Sequence, residues 1–294
     1  MIAVAIAEGI KIYCMNNDRF AFFNSPYPAH RLMTGIDIYS DVNFGGLALS
    51  PVSGEVVLIR KIKAPIGRFF KDAGYDYVIL LQNKQSKELV VKILHVDPCV
   101  SLGEHIHIGE PLGVLLRSGY FGFTTAPHVH VEVRPSNDPL RVRGGFIFKN
   151  LLNIDKSKPV ERLKGIVKKI REDVFTVNLD NVLGFGLPAD IGGIIGILDG
   201  GIPIYGWFGA HASGTPQGDI IKIMGVPVGK ITKIHRNTFI AECLKFNFMI
   251  NKIKVNLFLT MSSFRKQSIK IAPVKRGLLN LENGEEVEVK INND

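Results

Sequence analysis

The chain has few cysteines, and they form no metal-binding or disulfide pattern. The three cysteines, Cys14, Cys99 and Cys243, are widely spaced and include no Cys-x-x-Cys pair. An odd number at such spacing excludes a disulfide framework and a cysteine-rich zinc site. We therefore expect the protein to reside in a reducing compartment.

Long apolar runs are also missing. No uninterrupted apolar stretch reaches the ~18 residues that a transmembrane helix needs, so we expect no membrane span. Residues 1–8 are mostly apolar but have no basic flank, which predicts a strand rather than a signal peptide. These features together predict a cytoplasmic protein.

Helical periodicity is scarce, whereas β-forming residues are abundant. Isoleucine and valine dominate the apolar runs, and 30 glycines and 15 prolines are spread along the chain. This composition favours many short strands joined by tight turns, so the predicted class is mostly β. A length of 294 residues predicts two domains, which we place at 1–152 and 160–294, with a polar linker near 151–159 containing Asn153, Asp155, Ser157 and Pro159.

The formal net charge of +9 leaves two interpretations open. A basic surface attracts anionic polymers, but lysines spread through both halves are equally typical of a solvated surface. No specific nucleic-acid motif accompanies the charge. The sequence does not predict the oligomeric state.

The most informative segment is Thr124-Thr125-Ala126-Pro127-His128-Val129-His130-Val131-Glu132. Two histidines two residues apart on a strand share one face, where they can hold a metal and a neighbouring water. The alternative is a pair of structural histidines. The same parity places Glu132 on the His130 face, and its role is left open. A second pair, His105 and His107, is interpreted as surface residues.

Further motifs precede this strand in a characteristic order. They are Thr34-Gly35-Ile36-Asp37-Ile38, residues 48–57 with Ser53-Gly54, Ile93-Leu94-His95-Val96, and the glycine-punctuated residues 100–113. Over residues 34–134 this order resembles the lysostaphin-type zinc endopeptidases, the M23 peptidase family. The resemblance implies an N-terminal antiparallel β-sandwich built on the duplicated hybrid motif.

The resemblance also implies a site. It makes Asp37 and His130 metal ligands, with His95 and His128 orienting and polarising the attacking water. The family's first histidine ligand, four residues before the aspartate, is replaced by Met33, whose thioether suits Cu(I) better than zinc. His30 is a further candidate ligand, but its spacing differs from the family's. A zinc site with an incomplete ligand set is therefore expected.

The second half contains an internal similarity. Residues 165–177 resemble residues 229–241, and both read as a strand, a polar turn and a strand. They predict either two related half-barrels within a small β-barrel-like domain or a chance alternation of isoleucine and lysine. His211, within the glycine-rich residues 206–218, is interpreted as part of a surface loop that could line a pocket. No role is assigned to this half.

Three functions remain open from the sequence. The first is an M23-type zinc-dependent peptide hydrolase acting on a peptide. The second is a catalytically inactive binding or regulatory protein that keeps the fold, with a peptide or an anionic polymer as partner. The third is a carrier domain of the biotinyl, lipoyl or phosphocarrier type, although no Met-Lys-Met or Asp-Lys-Ala turn is present.

Overall fold

The computed structural model describes residues 1–84, 86–152, 154, 158–262 and 266–293. Within these residues the chain is almost entirely β, which confirms the predicted class. No helix in this part of the chain is long and apolar enough to cross a membrane. The single helix is α1 (Pro28–Arg31), and the strands are β1 (Ile2–Ala7), β2 (Ile10–Cys14), β3 (Arg19–Ala21), β4 (Ile36–Tyr39), β5 (Leu47–Leu49), β6 (Gly54–Lys63), β7 (Tyr75–Gln82), β8 (Leu89–Leu94), β9 (Val96–Pro98), β10 (His105–Ile106), β11 (Pro111–Leu115), β12 (Val129–Pro135), β13 (Lys149–Asn150), β14 (Leu163–Arg171), β15 (Val174–Leu183), β16 (Leu187–Ile191), β17 (Ile194–Ile202), β18 (Trp207–Ala212), β19 (Ile220–Ile223), β20 (Val226–His235), β21 (Thr238–Cys243), β22 (Asn247–Ile250), β23 (Ile253–Leu259), β24 (Met261–Ser262), β25 (Lys266–Pro273) and β26 (Glu286–Asn292).

The chain divides into two compact units. The first consists of Met1–Phe22 and Tyr27–Leu151, and the second of Phe23–Pro26 and Leu152–Asp294. Asn153, Asp155 and Ser157 of the predicted linker lie outside the described residues.

A central antiparallel sheet organises the first unit. Its strands from this unit lie in the order β10-β6-β7-β8-β12-β4-β3. Strands β7 and β8 are neighbours at its centre, with Val78 opposite Leu94 and Leu81 opposite Val91. The unit also holds two three-stranded sheets, β13-β1-β2 and β5-β11-β9.

Strand β12 lies in the middle of this sheet and is buried on both faces. Every residue of β12 is buried except Pro135 at its end. Along the strand, three valines (129, 131 and 133) alternate with His130, Glu132 and Arg134. Because successive side chains of a strand point to opposite faces, one face of β12 is apolar and the other carries only ionisable groups. Such groups stay buried only where partners satisfy them, and this polar face is where the candidate site lies.

The second unit forms two closed six-stranded barrels. In the first barrel the pairings run β16-β19-β20-β21-β18-β17 and return to β16. In the second they run β22-β26-β14-β15-β25-β23 and return to β22. Strands β17 and β23 pair with each other and join the two rings.

The internal similarity divides the unit into two halves, β14 to β19 and β20 to β26. Each barrel combines four strands of one half with the first hairpin of the other half. The β14–β15 hairpin completes the later barrel, and the β20–β21 hairpin completes the earlier one. The two hairpins have register shifts at corresponding places, between Val167 and Lys169 and between Ile231 and Lys233. The shared bulge places the similar sequences of residues 165–177 and 229–241 in equivalent positions of the two barrels.

We expect the two barrels to unfold in one step, because β17 and β23 pair with each other and the later barrel includes the β14–β15 hairpin, which precedes the earlier barrel in the chain. Gly165 on β14 packs so closely on the Asn178 carbonyl that a Cβ would overlap it. The substitution Gly165→Ala should lower the free energy of unfolding by about 1–3 kcal/mol through overpacking. Urea unfolding followed by fluorescence of Trp207, the single tryptophan, should report this loss although Trp207 lies on β18 of the other barrel.

Gly218→Ala is the control for this substitution, since the nearest atoms to its Cβ would lie 4.0 Å away. An unchanged Trp207 transition in the Gly165→Ala variant, alongside clear loss of structure by circular dichroism, would show that the barrels unfold independently.

Candidate metal centre

Three buried side chains of the first unit converge on one point. Nδ1 of His130 lies 2.8 Å from Oδ1 of Asp37, and Nε2 of His30 lies 3.3 Å from the same oxygen. One ligand atom from each of the three residues lies within 4.8 Å of those of the other two. Two imidazoles and a carboxylate in this arrangement form a donor set that suits a divalent metal.

Strand pairing explains how Asp37 and His130 meet. On the antiparallel strands β4 and β12, His130 is the direct partner of Asp37. Side chains at directly opposite positions of a sheet project from the same face at contact distance. The register of these two strands therefore fixes two of the three donors.

The third donor reaches the site through a helical turn. Helix α1 starts with Pro28 and ends in a Schellman motif, in which Thr34 N–H donates to Ala29 O at 2.7 Å and Met33 N–H to His30 O at 3.0 Å. Met33 takes the left-handed conformation that this motif requires, with φ of 61°. The turn takes up the extra residues, so that His30 faces Asp37 despite its unusual spacing.

Three potential donors therefore lie together here, where the sequence led us to expect an incomplete ligand set. His30 belongs to the cluster with Asp37 and His130, while Met33 is the buried left-handed residue that ends the helix. The spacing of His30 differs from the family's because a helical turn shortens the path between His30 and Asp37.

A backbone contact sets the tautomer of His30. Its Nδ1 lies 2.7 Å from Phe22 O, a carbonyl that only accepts. Nδ1 must therefore carry a proton and donate it, which leaves Nε2 towards Asp37. In a neutral imidazole the unprotonated nitrogen is the one that binds metals.

His128 and His95 lie beside the three donors. Nε2 of His128 is 3.5 Å from Oδ1 of Asp37, and its Nδ1 donates to Ala126 O at 2.8 Å. The ring centroids of His95 and His128 are 5.1 Å apart, and those of His95 and His130 are 6.0 Å apart. The structure thus brings together all five residues that the sequence singled out.

Asp76 is a member of the site that sequence reasoning missed. Its Oδ2 accepts a hydrogen bond from His95 Nδ1 at 2.6 Å, and its Oδ1 accepts one from His95 N–H at 3.0 Å. Two bonds from one carboxylate hold His95, whose φ of 70° is left-handed, in a single orientation. The sequence signal that could have revealed it is an aspartate between Tyr75 and Tyr77 in a segment of β-forming residues.

The electrostatics separate the roles of the buried groups. Burial would raise the pKa of Asp37, but the charges of His128 and His30 and hydrogen bonds from His130 hold it well below its ordinary value. Burial would lower the pKa of His130, yet hydrogen bonds to Asp37 and Glu132 raise it to about 9. Burial lowers the pKa of His128 to about 3, against the opposing effect of Asp37. Asp37 is therefore a permanent anion, and His128 is neutral near pH 7.

Aromatic rings cover the histidines. The Phe121 ring lies 4.5 Å from the centroid of His95 and 4.9 Å from that of His128. The Tyr39 hydroxyl donates to Oδ2 of Asp37 at 3.0 Å. His95 and His128 are consequently only 8% and 5% exposed.

The remaining histidines lie elsewhere. His105 and His107 are exposed, in agreement with their interpretation as surface residues. The surface-loop interpretation of His211 is wrong, because this residue is fully buried on β18 of the second unit. There its Nδ1 lies 3.0 Å from the Thr238 hydroxyl and its Nε2 lies 3.3 Å from Oδ2 of Asp199.

Comparison with known proteins gives limited similarity. A family model described as "Domain of unknown function (DUF8155) N-terminal domain" matches residues 10–150. None of the curated proteins compared with the chain matches it. An NMR solution structure of lysostaphin aligns over 97% of this chain and 100% of its own, with 14% identity and a TM-score of 0.29. The antimicrobial peptidase lysostaphin from Staphylococcus simulans aligns over 96% of this chain and 98% of its own, with 14% identity and a TM-score of 0.30. Scores this low support no functional conclusion.

We expect the position of the His130 ring to depend on Gly35. A Cβ at this residue would lie 2.7 Å from His130 Cε1, closer than real side chains approach, so Gly35→Ala should displace the ring. The Cε1–H signal of His130 in a ¹³C correlation spectrum should shift or broaden. Gly122→Ala, whose Cβ would meet only Thr125 Oγ1 at 3.5 Å, should leave it unchanged. Equal spectra for both variants would contradict this packing.

Proposed function

We propose that the protein is a zinc-dependent peptide hydrolase of the M23 type. One observation carries the proposal: His30, Asp37 and His130 form a buried donor cluster, with His128 and His95 immediately beside it. Three protein ligands with groups nearby that can transfer protons suit metal-assisted hydrolysis. The family match over residues 10–150 covers all five residues but carries no described activity.

The donors fit zinc. Imidazole nitrogens and a carboxylate oxygen are ligands that zinc takes in catalytic sites, where three protein ligands leave one position open. The bond from His30 to Phe22 O directs Nε2 inwards, and the pairing of β4 with β12 holds Nδ1 of His130 against Asp37. When bound there, zinc supplies Lewis-acid chemistry that activates a water for attack at neutral pH.

The residues of the chain supply the proton handling. His95 donates its Nδ1 proton to Asp76, which leaves Nε2 as the nitrogen that exchanges protons with a reacting group. His128 donates Nδ1–H to Ala126 O, so its Nε2 is likewise the acceptor. These two oriented imidazoles would take a proton from the attacking water and return one to the leaving amine.

Metal binding gives the first test. The purified protein should bind one zinc per chain, and His30→Ala and His130→Ala should each weaken binding by more than the roughly 10- to 100-fold that loss of a supporting residue costs. The dissociation constant would be measured by competition with a chromophoric chelator. His105→Ala, which removes an exposed histidine of the same unit, is the matched control. Wild-type protein without zinc affinity would refute the proposal.

Peptide cleavage gives the second test. Zinc-loaded protein should cleave members of an internally quenched peptide library, with products identified by mass spectrometry. His95→Gln and His128→Gln should lower the cleavage rate by about 10²- to 10⁴-fold while zinc stays bound. His107→Gln, another exposed histidine, should leave the rate unchanged.

The cover over the histidines favours a second candidate, a catalytically inactive binding or regulatory protein. Phe121 and Tyr39 close off His95, His128 and Asp37, which suits a site that holds a metal without turning over a substrate. Tight zinc binding without cleavage of any library peptide would support this candidate over the hydrolase. The carrier-domain alternative, an anionic partner and a cytoplasmic location stay predictions.

A further inference from the structure

A continuous line of ionisable side chains runs along the polar face of β12, starting at the candidate metal ligand His130. His130, Glu132 and Arg134 are 5%, 2% and 0% exposed. They share one face because each lies two residues from the next. Asp37 pairs with His130 from β4, and Lys92 pairs with Glu132 from β8. Every residue on this line is buried in the first unit.

The two ring nitrogens of His130 face two different carboxylates. Nδ1 lies 2.8 Å from Asp37 Oδ1, on the side of the donor cluster, and Nε2 lies 3.4 Å from Glu132 Oε1. A neutral imidazole that gives Nδ1 to a metal must carry its proton on Nε2. Oε1 of Glu132 is the acceptor that this proton meets.

Glu132 cannot turn away, because both of its oxygens are held. Nζ of Lys92 lies 2.9 Å from Oε1, and Nη1 of Arg134 lies 3.1 Å from Oε2. Arg134 is fixed in turn, since its Nη2 donates to Asp138 O at 3.1 Å and to Arg143 O at 2.8 Å. The carboxylate is therefore clamped between two buried cations.

Stability alone is a weak reason for such a network. The desolvation of buried ions offsets most of their attraction, so apolar residues of similar volume stabilise a sheet equally well. In a metal-binding histidine, the ring nitrogen that does not bind the metal carries the proton. A carboxylate that accepts this N–H fixes the tautomer and the ring orientation and strengthens the ligand.

We infer that Glu132 is a positioning residue for the metal centre: clamped by Lys92 and Arg134, it accepts the Nε2 proton of His130 and presents Nδ1 to the metal. This role rests on the proposed metal site. Glu132 touches neither the metal nor a substrate, and it acts only through His130.

Zinc affinity of the full-length protein tests the inference. Glu132→Gln should raise the zinc dissociation constant about 10- to 100-fold, measured by chelator competition on protein shown to be folded by circular dichroism. In the zinc form of the wild type, the Nε2 proton of His130 should give a slowly exchanging NMR signal. In the variant that signal should exchange faster, because the charged acceptor is gone.

Two further variants separate positioning from a purely structural effect. Asp199→Asn removes an equally buried carboxylate that lies 3.3 Å from Nε2 of His211 in the second unit, and it should leave zinc affinity unchanged. If Glu132→Gln fails to fold because two buried cations lose their partner, the double variant Glu132→Gln, Lys92→Met removes one charge of each sign. It should fold and still bind zinc about 10- to 100-fold more weakly.

The outcomes are distinguishable. Wild-type zinc affinity in the folded Glu132 variants would overturn the positioning role and leave the metal site standing. A wild-type protein that binds no zinc would overturn the metal site and the positioning role together.

Discussion

The buried carboxylate of Asp37 is the constraint on which the arrangement of the first unit depends. It is 0% exposed, and an isolated buried anion is strongly unfavourable. His130 donates its Nδ1–H to one oxygen of this carboxylate at 2.8 Å, and the Tyr39 hydroxyl donates to the other. Nε2 of His30 and Nε2 of His128 lie 3.3 Å and 3.5 Å from the first oxygen. A carboxylate that faces two imidazole nitrogens whose other nitrogens are bonded to the backbone is already close to a metal-binding geometry.

The same principle extends outwards from the cluster. Asp76 holds His95 through two hydrogen bonds, and Glu132 lies between His130 and two cations. Each histidine near the centre is therefore oriented by a carboxylate or by a backbone carbonyl. Buried polar networks of this kind are rigid when they are fully satisfied. Rigid ligands reduce the reorganisation that binding or chemistry at the site would require.

The second unit shows a different constraint, the closure of sheets by exchanged hairpins. Each six-stranded ring eliminates its open edges only with the hairpin of the other half. Closure matters because unpaired strand edges promote aggregation. The later ring joins β14 and β15 to strands that follow the whole earlier ring in the chain, whereas the earlier ring is built from the consecutive strands β16 to β21. His30, Asp37 and His130 all belong to the first unit.

Some features of the protein were determined by the sequence itself. Alternating isoleucine and valine with frequent glycine predicts the β class, because the side-chain period of a strand is two. The His128-x-His130 pair and the order of motifs around Asp37 and His95 resemble the M23 peptidases, and that resemblance implied which residues meet. The parity of β12 also put Glu132 on the face of His130.

Other features were decided only by the tertiary structure. His30 enters the cluster because a Schellman turn at Met33 redirects the chain, and residue spacing does not reveal a left-handed turn at methionine. Asp76 is bonded to His95 across 19 positions of sequence, and the hairpin exchange joins strands from opposite halves of the second unit. These contacts are non-local, and a pattern read along the chain records only which face a residue occupies. Which distant residue satisfies a buried charge depends on how the strands are packed.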